Sequence, residues 1–193
     1  MIARLVVIVL LAALGPALSP PVAATRRAGM ATIVIAAERQ GDTIEIRASA
    51  QLQADTDTAW RVLTAYERYP EFIPDLQTSR VVSRRGSTVI VEQSGDARVW
   101  LLPVPLNITF EIVESPPQRL YSRAISGSLR ALESTYVLTP AARGARLNYV
   151  GRVTSGYDFL GPIEFQAVKQ NVARQFQALT DEIELEGVAS IAR

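Results

Sequence analysis

Four side chains in this sequence put a polar group in phase with an apolar strand face. Gln93 alternates with Val89 and Val91, Glu133 with Thr135 and Val137, and Tyr136 and Tyr149 with Leu138 and Leu147. A carboxyl and two phenols turned into one cavity could move protons to or from a bound carbonyl compound, and an amide beside them could help position it. Only one face of the segment 133–140 can point inward, so Glu133 and Tyr136 are alternatives. The competing reading makes Glu133 a solvated strand-end carboxylate and the tyrosines core residues with satisfied hydroxyls. The chain has no histidine and no cysteine, and Lys169 is its one lysine. This excludes disulfide scaffolds, thiol nucleophiles and metal sites built on His or Cys, and no cofactor is implied. An acid or base would have to be Asp, Glu, Tyr, Lys169 or a water polarised by arginine.

The elements that would position these groups follow from periodicity. "TIEIRASAQLQ" (43–53) alternates without error, with Ile44, Ile46, Ala48, Ala50 and Leu52 on one face. "ATIVIAA" (31–37) and the turn "RQGD" (39–42) give it a hairpin partner. "ADTDTAWRVLTAYE" (54–67) offers Asp55, Thr56 and Asp57 as helix N-caps, then places Ala59, Val62, Leu63 and Tyr66 at helical spacing. Extended runs follow at 79–95, broken at Arg85-Gly86-Ser87, and at 102–114, 120–126, 133–140 and 146–154. In the run 102–114, Leu102, Val104, Leu106, Ile108, Phe110 and Ile112 share a face, while Pro103 and Pro105 lie opposite and predict a sheet edge or bulge there. With no crossover helix between them, these runs predict an antiparallel meander of six to seven strands. The last element, 161–187, has Pro162 near its start and Gly187 as its stop, with Phe165, Val168, Val172, Phe176, Leu179 and Ile183 at steps of three and four.

The amino terminus has a different composition. One positive charge at Arg4 precedes the apolar run "LVVIVLLAAL" (5–14), Gly15 and Pro16 break it, and "VAA" (22–24) supplies small residues. That order predicts a signal peptide over 1–24, cut after Ala24, and a periplasmic or secreted location. The run is about half the ~20 residues that span a bilayer, so no stable membrane anchor is expected after cleavage. The expected organisation is a tail at 25–31, one domain at 32–187 and a tail at 188–193. Cleavage removes Arg4 and no acid, leaving 19 basic and 19 acidic residues, and a neutral chain has no electrostatic reason to bind nucleic acid.

A curved sheet round a single helix leaves an unfilled space at one end, because one helix covers a band only about 10 Å wide. "TAYERYPEFIPD" (64–75) falls where it would close that end. Two readings stand side by side: Tyr66, Tyr69, Phe72 and Ile73 line the mouth of a cavity, or they plug the end of an ordinary core.

The residues also resemble a known family. "W.VLT.YE.YPEFIPD...S.V" over 60–81, "V.VEQ.G" ending at Gly95, "E.PP.RL" over 114–120, "Y.L.P" over 136–140 and the long last helix are together similar to the helix-grip superfamily called START-like or SRPBCC. Within it the likeness is greatest to the polyketide cyclase/dehydrase and coenzyme Q-binding START-domain group. The resemblance spans about residues 32–186. Two positions depart from it: Ala65 stands where such sequences often carry an aspartate, and "RALES" (130–134) stands in place of a small glycine-rich turn. It implies an α+β helix-grip fold, a curved antiparallel sheet round a long C-terminal helix, with a hydrophobic tunnel for lipids, quinones or polyketides.

The expected partner is accordingly a hydrophobic small molecule, bound without catalysis. The expected cavity wall comprises Tyr66, Phe72, Ile73, Gln93, Leu106 and Ile108, together with Phe110, Tyr136, Tyr149, Phe165, Val172 and Phe176. Arg98 is a candidate contact for a polar ligand head. The alternatives are a cyclase, aromatase or dehydratase using the same cavity, and a protein-docking module in which Trp100 and Leu101 form the contact.

Overall fold

The computed structural model describes residues 31–99, 102–154 and 161–191. Strands β1 (Thr32–Gln40) and β2 (Thr43–Leu52) form the first hairpin, in register from Thr32 opposite Gln51 to Gln40 opposite Thr43. The alternation of β2 is realised as expected, with Ile44, Ile46, Ala48, Ala50 and Leu52 all buried. Helix α1 (Thr56–Leu63) follows. Of its three candidate caps Asp55 is used, its carboxylate accepting the Thr58 N–H at 2.7 Å. That hydrogen bond holds the Asp55 carboxyl below the usual range.

The proline-bearing segment is more helical than its sequence predicts. A 3₁₀ turn (Tyr66–Arg68) runs into a single-turn helix α2 (Tyr69–Phe72). Pro70 sits in the first turn of α2, where its missing N–H leaves no hydrogen bond unmade.

Strands β3 (Leu76–Arg85), β4 (Thr88–Val99), β5 (Leu102–Ser115), β6 (Arg119–Gly127), β7 (Ala131–Pro140) and β8 (Ala145–Thr154) then run antiparallel in sequence. β2 pairs with β8, so the order across the sheet is β1-β2-β8-β7-β6-β5-β4-β3. The sheet has eight strands, more than the six to seven expected, because the first hairpin joins the meander at the β8 edge. The connection through α1 and α2 therefore carries the chain from one side of the sheet to the opposite edge.

One feature of this register shapes the site. β4 and β5 stay paired out to Val99 opposite Leu102, but β6 reaches along β5 only as far as Gly127 opposite Ile108. The first part of β5 thus has a strand on one side only, where Pro103 and Pro105 cannot disrupt a second ladder. Both prolines are exposed, as the expected edge requires.

Helix α3 (Gly161–Ile191) crosses the concave face. At about 1.5 Å per residue its 31 residues span roughly 46 Å. Its second half packs into the core: Phe176, Leu179 and Ile183 join Ile44, Ile46, Leu52, Val62 and Leu63 in the larger core cluster. The expected stop at Gly187 is not a stop. The helix runs four residues further, and Gly187 is buried against Ala54, where a Cβ would come within 2.8 Å of the Ala54 Cβ. Gly187 permits close approach of the helix to the turn after β2, a role that a terminal-looking "EGV" conceals.

This contact gives a test of opposite sign to the ordinary propensity rule. Ala in place of Gly in an exposed helix gains about 1 kcal/mol, whereas overpacking a close contact costs about 1–3 kcal/mol. Gly187→Ala is expected to lower the melting temperature, and a rise would show that α3 does not press on Ala54.

Candidate functional site

Between the first half of α3 and the β4–β5 overhang lies a cavity of about 470 Å³. Its sheet wall comes from one face of β5, where Val104, Leu106, Ile108 and Phe110 stand at every second position. Leu132 of β7 and Tyr149 and Val153 of β8 continue that wall. The helix supplies Ala167, Val168 and Val172, at steps of one and four, with Asn171 and Gln175 beside them. Asp75 and Leu76, where α2 gives way to β3, meet Gln93 to Ala97 of β4 at one end. At the start of α3, Glu164 also reaches the wall and pairs with Arg39 of β1 at 3.0 Å.

The end formed by Asp75 is built tightly. Asp75 is a non-glycine residue at φ 65°, a region that Asp and Asn tolerate better than other side chains. Its carbonyl accepts the Asp96 N–H at 2.8 Å, and Gly95 makes the approach possible because a Cβ there would run into that carbonyl. Its carboxylate pairs with Arg174 of α3 at 2.8 Å, and the same guanidinium donates to the Asn171 side chain. One arginine, itself not among the wall residues, thus ties two that are.

Of the residues expected in the wall, six are brought together there: Gln93, Leu106, Ile108, Phe110, Tyr149 and Val172. The other six lie elsewhere. Tyr66 is only 2% exposed and sits at the centre of the second core cluster with Val89, Val91, Ile112 and Leu120. Its hydroxyl donates to Glu114 at 2.8 Å, and Arg84 holds the other oxygen of that carboxylate at 2.8 Å. Phe72, Ile73 and Phe165 pack against the larger cluster, Phe176 belongs to it, and Tyr136 packs against both. The plug reading of the aromatic segment is therefore the one realised. Tyr66, Tyr69 and Phe72 form an edge-to-face series with centroids 5.9 and 5.6 Å apart, and Tyr69 donates to the Leu63 carbonyl at 2.6 Å. The physical reason is the 3₁₀ turn, which rolls Tyr66 under β4 and leaves only Asp75 and Leu76 to meet the cavity.

The choice between Glu133 and Tyr136 is also resolved. Leu132 lines the cavity and Leu138 is buried, so Tyr136 faces inward and Glu133 is exposed. Arg98 is the β4 residue opposite Pro103, and its side chain is outside the described residues, as are Trp100, Leu101 and the segment 1–30. Asp75 and Asn171 escape a sequence reading. Asn171 flanks the helical stripe one position before Val172, and Asp75 reads as a turn residue after Pro74. Val104 and Val168 were legible from phase alone.

Burial disfavours the ionised form of the buried tyrosines. Burial pushes Tyr136 and Tyr69 well up from the ordinary phenol value, does the same to Tyr66 with Glu114 adding to it, and pushes Tyr149 up to about 12. Among the described residues no group of carboxylates is arranged to hold a metal ion.

The profile of a family described as polyketide cyclase / dehydrase and lipid transport matches residues 43–184. The chain belongs to that family. Several solved structures share its helix-grip fold. A STAR-related lipid transfer protein from Xanthomonas axonopodis is 16% identical with a TM-score of 0.66, over 83% of this chain and 96% of that one. The Zhui aromatase/cyclase from a Streptomyces species is 12% identical with a TM-score of 0.59, over 79% and 94%. A START superfamily protein from Mycobacterium smegmatis is 14% identical with a TM-score of 0.59, over 79% and 97%. At these identities the likeness is one of fold. No curated protein matches the sequence.

The buried phenols predict a pH signature. An acid whose folded pKa lies above its unfolded value of ~10 contributes stability that is complete below pH ~10 and is lost as pH rises through the folded value. Tyrosinate absorbance from Tyr66, Tyr69, Tyr136 and Tyr149 is expected to appear together with loss of far-ultraviolet circular dichroism. Ionisation of most of the chain's tyrosines in a still-folded protein at pH ~10 would contradict their burial.

Proposed function

We propose that this protein binds and carries a hydrophobic small molecule in the cavity beneath the first half of α3, and does so without catalysis. The observation that carries the reading is the wall itself: aliphatic residues at every second position of β5 face an aliphatic stripe of α3 across about 470 Å³. That volume falls in the range of pockets that take drug-sized molecules, roughly 300–1,000 Å³. A ligand burying ~300 Å² of apolar surface gains about 7.5 kcal/mol before the costs of association, so no special chemistry is needed for useful affinity. The class is a lipid, a prenylated quinone or a polyketide-like molecule, and the family's description supports lipid transport as well as cyclisation.

The cyclase reading requires a group in the wall that moves a proton. Gln93 cannot do so, the inward phenols are kept neutral by burial and so are not bases, and the wall carboxylates Asp75, Glu164 and Asp96 are engaged with Arg174, Arg39 and the Gln77 amide. The carriage reading is therefore the better supported. The sequence of residues 1–24 supports export to the periplasm or beyond, with Thr25 as the first residue of the mature chain.

Mass spectrometry of organic extracts from natively purified protein tests carriage directly. An apolar compound at near-stoichiometric amount is expected in the wild type and is expected to fall at least about tenfold in Leu106→Trp, which fills the cavity from a half-buried edge position. Equal amounts in both would move the ligand out of this cavity. Intact mass of the protein recovered after expression with its own leader is expected to begin at Thr25, and a chain retaining Met1 would overturn the export reading.

A further inference from the structure

The charges around the cavity restrict the ligand further. Of the described wall residues that carry a charge, all are carboxylates: Asp75, Asp96 and Glu164. The remaining polar side chains there include the amides of Gln93, Asn171 and Gln175, and no described wall residue is a lysine or an arginine. Each carboxylate is already engaged by a donor that is not itself part of the wall. Arg174 holds Asp75 at 2.8 Å, Arg39 holds Glu164 at 3.0 Å, and the Gln77 amide donates to Asp96 at 2.9 Å.

This arrangement treats ligands of different charge differently. An anionic head would lose its hydration beside Asp96, which is held only by a neutral amide, and would find Arg174 and Arg39 already committed to Asp75 and Glu164. A cationic head would find Asp75 and Glu164 already paired with arginines and only Asp96, held by a neutral amide, to offset its desolvation. A hydroxyl or carbonyl head loses little hydration and has amides at hand.

Resting on the carriage reading, we infer that the ligand is an uncharged amphiphile, such as an alcohol or a ketone, and that the Asp75–Arg174 pair makes the cavity reject anions. Asp75 is placed for this by the left-handed backbone at φ 65° and by the Asp96 N–H on its carbonyl. Asn suits the same backbone region, so Asp75→Asn removes the charge while keeping the shape. It leaves Arg174 uncompensated next to Asn171, at a point where a ligand carboxylate would find it.

The test is displacement of N-phenyl-1-naphthylamine, an uncharged fluorescent probe, from the purified protein at pH 8. Decanol and decanoate share a chain length and differ in head charge. In the wild type decanol is expected to compete at least about tenfold better than decanoate. Asp75→Asn is expected to narrow that ratio at least about threefold, and Arg174→Gln, which leaves the carboxylate uncompensated, to widen it. Decanoate competing as well as decanol in the wild type overturns the inference and leaves carriage standing. A ratio unchanged in both variants overturns the role of the pair. If neither amphiphile displaces the probe, the carriage reading falls and takes the inference with it. Should Asp75→Asn fail to fold, the wild-type ranking and Arg174→Gln decide the matter.

Discussion

The structure depends on how closely α3 can approach a sheet that curls away from it. Near its C-terminal end the helix is drawn down by Gly187 on Ala54 and by Phe176, Leu179 and Ile183 on β2 and α1. A rod held tightly at one end cannot follow the curvature of eight twisted strands at the other. β4 and β5 also extend beyond the reach of β6, so the far end of the trough is walled by a two-stranded flap. The space left there is about 470 Å³, and a domain that packed the helix equally along its length would not have it.

Polar contacts fix the parts that apolar packing leaves loose. Arg68, in the 3₁₀ turn, reaches Glu182 and Glu186 of α3 at 2.9 and 3.1 Å and holds the turn against the helix. These are exposed pairs and contribute orientation more than stability. The Tyr66–Glu114–Arg84 network is more deeply placed. Breaking it would leave a buried carboxylate or hydroxyl without its partner, which costs more than the bonds contribute in place. Glu184 does comparable work, accepting the Gln53 N–H at 2.7 Å and so anchoring the end of β2 beside Gly187.

Much of this was readable in the chain, and the failures have a common cause. The alternation of β2 and β5 survives folding because both strands have one wet and one apolar face, so phase alone places Leu106, Ile108 and Phe110 correctly. Pro103 and Pro105 foretold the missing neighbour of β5, since a proline marks where a ladder is absent. The errors arose where a residue's local type has two tertiary uses. A glycine near the end of a helix reads as a stop, and Gly187 is a packing contact. Aromatics after a helix read as a mouth, and a single 3₁₀ turn sends Tyr66 into the core. Asp75 reads as a turn residue, and only its φ and its pairing with Arg174 on a helix a hundred residues away give it a place in the wall.

The two halves of α3 are under different constraints, and this bears on how the fold can change its ligand. From Phe176 onward each inward residue touches the larger core, so substitutions there act on stability. Between Glu164 and Val172, the residues Ala167, Val168 and Val172 face the cavity, where losing or gaining a methylene changes the space for a guest more than it disturbs the core. Ligand size can therefore drift through Ala167, Val168 and Val172 while the domain stays folded. On the inference above, charge preference depends instead on Asp75, which is bound at once to Asp96 of β4 and to Arg174 of α3. A change of ligand bulk needs only a different aliphatic side chain, whereas any substitution at Asp75 also acts on a contact that ties β4 to α3.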